Sequence, residues 1–139
     1  MLTHWQTRSH RRFERNFRML LDAAANPANH ILNRWLTFER LSVYFRISRR
    51  VLVPVQTLDE FHAKMIRTVD IANVSTDEQY QHQGMFTRLV AKLHTMTDMP
   101  LYLENTQIEF AQHLLDHHGW KFHKNNGGYN YDLIRYRAD

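Results

Sequence analysis

The spacing of apolar residues changes at Leu41, and that change restricts the chain to folds that mix helix and sheet. Before it, Phe13, Phe17, Leu20, Leu21 and Ala24 recur at helical spacing and form one apolar stripe. Ser9 is a fitting N-cap for a helix running to about Ala25, and Asn26-Pro27 breaks it. A second helix is expected from His30 to about Phe38, with Ile31, Trp35 and Phe38 inward. From Leu41 the pattern is that of a strand, because SVYFRI alternates and is rich in β-branched and aromatic residues. VLVPV reads as the next strand, with Pro54 at its end or on an edge.

Leu58 to Lys64 reads as a short helix or a connecting loop, and MIRTVDIANV, residues 65–74, as a buried strand. Phe86, Leu89, Val90 and Leu93 mark a helix that ends near Thr97, and residues 100–104, PLYLE, a short strand. Ile108, Ala111, Leu114 and Leu115 mark a further helix, stopped by Gly119. WKFH and YNYDLIRY, joined through Asn125-Asn126-Gly127-Gly128, read as a closing hairpin. The order predicts a single α+β domain over residues 1–139, an α/β sandwich whose mixed, mostly antiparallel central sheet is flanked by helices. Residues 1–40 form a basic helical segment and 41–137 the remainder of the core.

A chain of 139 residues with 43% hydrophobic content can build one real core. The absence of cysteine excludes disulfides and thiolate chemistry. No apolar run is long enough for a membrane span, and the N-terminus lacks the apolar stretch of a secretory signal, so cytoplasmic residence is expected. The net charge of +4 is unevenly placed. Residues 1–50 hold ten Lys/Arg against three Asp/Glu, a balance of +7, and the rest holds eight against eleven, a balance of −3. A basic first third can steer the protein toward anions such as nucleic acid, acidic proteins or a polyphosphate cofactor, or can simply be a solvated helix face.

The stretch DEQYQHQGMFTRL sits between a strand and a helix and holds Gly84, one of four glycines. A strand that delivers the chain to a glycine at a helix N-terminus makes an anion site, because unpaired N–H groups converge there and the helix dipole favours negative charge. A plain turn would use the same glycine. The wider segment VSTDEQYQHQGMFTRLV resembles the acyl-CoA-binding segment of the GNAT family of N-acetyltransferases. Val74 and Thr76 match the family's strand end, with Thr for the second Val, and Gln81, Gly84 and Phe86 match its three loop positions. PLYLEN and AQHLLDHHGW resemble the next strand and the helix that ends in Gly-Phe, with Ala111, Gly119 and Trp120 at corresponding places.

The resemblance covers roughly residues 41–137 and implies an acetyl-CoA cofactor. Backbone amides of Gln81, His82, Gln83, Gly84, Met85, Phe86 and Thr87 would hold its pyrophosphate. Val74, Ser75 and Thr76 would run beside the pantetheine as an added strand. It also implies transfer of the acetyl group to an amine of a protein or small molecule. The family's usual Asn and Tyr fall at Ile108 and Leu115, and its usual Glu base at Thr68, none of which exchanges a proton in that role. Asp70, on the same strand, and Glu104 and Asn105, at the next strand's end, are the catalytic candidates; His82, Tyr129 and Tyr131 rank behind them. Phe86 departs from the small residue usual at its position, and its place on the face of Leu89, Val90 and Leu93 turns the ring toward the core.

The alternative is a catalytically inactive scaffold of the same fold that docks a partner through its basic N-terminal helices. Glu109, His113 and His117 share one helix face, with His118 and His123 nearby, but the pattern lacks the order of a zinc protease, and no metal site is expected. Nucleic-acid binding would fall to the arginine-rich first helix, whose Phe13 and Phe17 belong to its apolar stripe.

Overall fold

The computed structural model describes residues 1–26, 28, 32–52, 64–77, 84–127 and 130–137. Helix α1 (His4–Ala24) is followed by strands β1 (Leu32–Phe38), β2 (Leu41–Leu52) and β3 (Lys64–Ser75). Helix α2 (Met85–Met96), β4 (Leu101–Gln107), α3 (Ile108–His117), β5 (Lys121–Asn125) and β6 (Asn130–Arg135) complete the order. The fold is α+β, with one six-stranded mixed sheet in the order β1-β2-β3-β4-β6-β5. Among the described strands only β3 and β4 run parallel, joined by the α2 crossover. Pro54, the Leu58–Ala63 stretch, Gln81, His82, Gln83, Gly128 and Tyr129 lie outside the described residues.

Helix α1 starts earlier than its Ser9 cap would require. Thr3 is the N-cap, and its hydroxyl and the Gln6 side chain satisfy each other's backbone N–H groups in a capping box. Ser9 instead lies within the helix, and its hydroxyl accepts from the Glu39 N–H at 2.8 Å. Phe13, Phe17, Leu20 and Ala24 are buried as the stripe requires.

The second expected N-terminal helix is a strand. Leu32–Phe38 pairs residue for residue with β2 across the tight Glu39-Arg40 turn, with Leu36 and Phe38 buried on one face. The spacing of Ile31, Trp35 and Phe38 mimics a helical period, but a seven-residue ladder on β2 outweighs that weak local preference. Trp35 is accordingly exposed on the opposite face, packed against Tyr44 at 5.1 Å.

SVYFRI and the start of VLVPV form one continuous strand, β2, rather than two. Its Val43, Phe45 and Ile47 join Val69, Ile71, Leu101, Leu103 and Leu133 in a single core with all three helices. The rings of Phe13 and Phe17 meet Phe45 at 5.8 and 5.3 Å. Lys92 on α2 pairs with Glu14 on α1, so these two helices are neighbours on the same face. Tyr102, Ile134 and Ile66 form a separate small cluster on the other face, which no helix covers among the described residues. No helix among those residues is long and apolar enough to cross a membrane.

Candidate functional site

Strands β3 and β4 pair over three positions only, Val69 with Leu101, Asp70 with Tyr102 and Ile71 with Leu103. Beyond them β3 continues to Ser75, laddered to β2 alone, while β4 continues to Gln107 against β6. The two strands therefore part at Ile71 and Leu103, and the facing edges of residues 72–75 and 104–107 carry no ladder to each other. Irregularities on both sides reinforce the gap. Ala72 is an extra residue between Ile71 and Asn73 in the register with β2, and β4 holds an extra residue between Leu103 and Thr106 in its register with β6. Such bulges bend a strand and re-aim its side chains. Asn105, within the second bulge, has φ 52°.

At the helix-covered end of this gap, α2 begins at Gly84 in the left-handed region, φ 72° and ψ 10°. Among the described residues no side chain caps the helix, and no acid sits in its first turn. The Arg88 N–H reaches the Gly84 carbonyl, which leaves the N–H groups of Met85, Phe86 and Thr87 as helix-start donors with no intrahelical acceptor. A Cβ at position 84 would stand 3.2 Å from an Arg88 nitrogen. The Phe86 ring turns away from these donors, packing on Phe110 at 5.6 Å and Trp120 at 6.2 Å.

Beside the same turn lies a small groove of about 120 Å³ lined by Thr87, Val90, Ala91, His118, Trp120 and Arg135. Arg135 is held there by donating from Nε to the His118 carbonyl at 2.8 Å. On the strand side, the Thr106 hydroxyl is buried without a partner among the described residues. Thr106 stands opposite Tyr131, which packs on the helix-side core, so this orphan hydroxyl lies on the helix-covered face next to the gap.

Arg88 itself is drawn into a second network. Its guanidinium donates to both oxygens of Glu39, at 2.8 and 2.6 Å, and His10 and Gln6 reach the same carboxylate. Glu39 is 4% exposed and adopts φ 52° in the turn between β1 and β2. Burial alone would raise its carboxyl, but hydrogen bonds from Arg88 and His10 outweigh burial and hold it below the ordinary value. The same partnership raises Arg88. This knot ties α1, the β1–β2 turn and the start of α2 together.

The uncovered face of the sheet carries a second polar cluster. Asp70 is fully buried and accepts from Arg46 Nε at 3.1 Å, Ser48 at 2.5 Å and Thr68 at 2.6 Å. Arg50 adds two further bonds at 3.1 and 3.0 Å. Its acceptor capacity is thus filled by structural partners. Arg46 and Arg50 both also reach Glu104 Oε1, while Glu104 Oε2 has no partner among the described residues. The Arg50 guanidinium lies over the Tyr102 ring at 3.7 Å.

Tyr102 donates to Asp132 Oδ2 at 2.6 Å, and Asp132 Oδ1 accepts from the Asn105 N–H at 3.0 Å and from Asn126. His123 Nδ1 lies 2.7 Å from the Tyr102 oxygen. A phenol has one proton, already given to Asp132, so Nδ1 is the donor and the neutral ring keeps its lone pair on Nε2. Burial first, and then Lys124 and Arg50, lower the His123 imidazolium against the opposing pull of Asp132. Burial and the bond to Asp132 raise the Tyr102 phenol, which stays protonated at neutral pH.

The expected residues fall in four places. Val74, Ser75, Thr76, Gly84, Met85, Phe86 and Thr87 stand along the end of β3 and at the start of α2, whereas Asp70, Glu104 and Asn105 lie at or beside the polar cluster. Gln81, His82, Gln83 and Tyr129 fall outside the described residues. Tyr131 packs on the helix-side core and against Phe122. Sequence reading missed Tyr102, His123 and Asp132 as a unit, since they lie 21 and 30 residues apart and only the β4–β6–β5 register joins them. His113 and His118 share a contact at 3.2 Å near the end of α3, whereas His123 belongs to Tyr102. Among the described residues no group of three or more His, Asp or Glu is arranged to hold a metal ion.

Comparison with protein-family models, with curated proteins and with solved structures returns no match for this chain.

Proposed function

We propose that the chain is a GNAT-like protein that binds acetyl-CoA and transfers the acetyl group to an amine. The observation that carries this reading is the parting of β3 and β4 after Ile71 and Leu103, with the uncapped start of α2 at the end of β3. N–H donors with no intrahelical acceptor, a helix dipole and a glycine without Cβ suit a pyrophosphate. The unladdered edge at Val74, Ser75 and Thr76 suits an amide-bearing chain laid beside it as an added strand. The cofactor would supply an acyl thioester, whose carbonyl an amine attacks.

The chain's own residues would act from the uncovered face. An acceptor amine must be deprotonated before it can attack. His123 Nε2 is a neutral, half-buried base oriented by Tyr102 and Asp132, while Glu104, paired with two guanidinium groups, helps to hold Arg46 and Arg50. Asp70 serves as the anchor that positions Arg46 and Arg50. Placement of the reactants by the gap supplies a large share of the acceleration, so the substitutions at Ile108, Leu115 and Thr68 are compatible with transfer.

Calorimetric titration of the intact protein with acetyl-CoA and with CoA tests the cofactor. Saturable binding of both in the micromolar range supports the reading, and absence of heat at high micromolar ligand contradicts it. Thioester loss in the presence of an amine panel then separates transfer from binding alone.

A further inference from the structure

Helix α1 presents a surface that the cofactor reading does not use. Arg8, Arg11, Arg12, Arg15 and Arg18 are all exposed. At 3.6 residues per turn they fall within an arc of about 120°, opposite the buried stripe of Phe13, Phe17, Leu20 and Ala24. None of the five has an ion pair or hydrogen bond among the described residues. Glu14 is engaged with Lys92, and Asp22 sits one turn beyond Arg18 on the same side. Five guanidinium groups with no acidic partner among the described residues, on one helix, raise a local positive potential.

We propose that this stripe binds the phosphate backbone of double-stranded DNA. From Arg8 to Arg18 the helix rises about 15 Å, a span along which the two strands flanking a groove present phosphates to guanidinium groups on either side. Guanidinium forks match phosphate oxygens in pairs. A helix about 10–12 Å across fits the B-form major groove of about 12 Å, whereas the A-form RNA major groove is too narrow. Single strands are disfavoured because Phe13 and Phe17 are fully buried, and the exposed ring of this helix, Trp5, already carries the Arg40 guanidinium over it at 4.4 Å. A membrane surface is disfavoured because the apolar face that would enter it is packed against the sheet.

The test is fluorescence anisotropy of the intact protein with a labelled DNA duplex of about 20 base pairs, starting at about 50 mM salt. Five phosphate contacts predict a slope of log affinity against log salt near −4.5. R11E/R15E removes two contacts and adds two repulsions, and should abolish binding at about 150 mM salt. R11K/R15K keeps the charge and should retain affinity within about tenfold. Absence of duplex binding at low salt overturns the proposal, as does binding unchanged in R11E/R15E. Tighter binding to single strands, duplex RNA or anionic phosphatidylserine vesicles than to duplex DNA also overturns it.

Discussion

The two faces of the sheet are built by different physics. The helix-covered face is an apolar core in which Val43, Phe45, Ile47, Val69, Ile71, Leu101, Leu103 and Leu133 meet three helices. The uncovered face carries Arg46, Arg50, Asp70, Glu104, Tyr102, His123 and Asp132, which satisfy one another across five strands. Hydrophobic burial is non-directional and roughly proportional to area, so the first face specifies the fold. Charges withdrawn from water gain little net stability even when paired, so the second is better explained by what it positions.

The contrast predicts a large stability effect on the first face. Phe45→Ala leaves a cavity beneath Phe13 and Phe17 and should cost about 3–5 kcal/mol in denaturant unfolding. A loss below about 1 kcal/mol would place the core elsewhere.

Glu39 tests the knot between α1 and α2. Glu39→Ala strands Arg88 and His10 and should destabilise by about 2–4 kcal/mol, less than a fully buried pair because Arg88 is partly exposed. The folded-state carboxyl lies below the ordinary value of 4.5, so its contribution is full above that pH and is lost as pH falls through the folded value. The variant should lose that acid-side slope, and an unchanged slope below pH 4.5 would contradict the assignment.

On the polar face the effect on stability should be smaller and the effect on protonation larger. Tyr102→Phe removes the bond to Asp132 and should cost about 1–3 kcal/mol. It also removes the acceptor that fixes His123 as the Nδ1–H tautomer. Nitrogen-15 spectra of the imidazole should show one tautomer in the parent and a mixture in Y102F. A mixture in both would mean that Tyr102 does not orient His123.

The same contrast explains what was readable from the sequence. Phe13, Phe17, Leu20 and Ala24 announce their helix because burial imposes a period, and MIRTVDIANV announces its strand for the same reason. The inward turn of Phe86 followed from the face it shares with Leu89 and Leu93. LNRWLTF was misread because its apolar residues fit both periods, and pairing with β2 decides between them. The polar cluster was mostly hidden because each contact depends on strand register. Arg46 meets Asp70 only through the β2–β3 alignment, and His123 meets Tyr102 only by reaching over β6. The burial of Glu39 was equally invisible, since three partners from two helices create it.

The most direct measurement is a titration of the nitrogen-15-labelled protein with CoA, followed by backbone amide shifts. The central claim predicts saturable shifts concentrated at Met85, Phe86 and Thr87, with a second set at Val74, Ser75 and Thr76. Shifts confined to the arginines of α1 would reduce the effect to general attraction for a polyanion. That result, or no shift at α2, would contradict a cofactor cradle at this site.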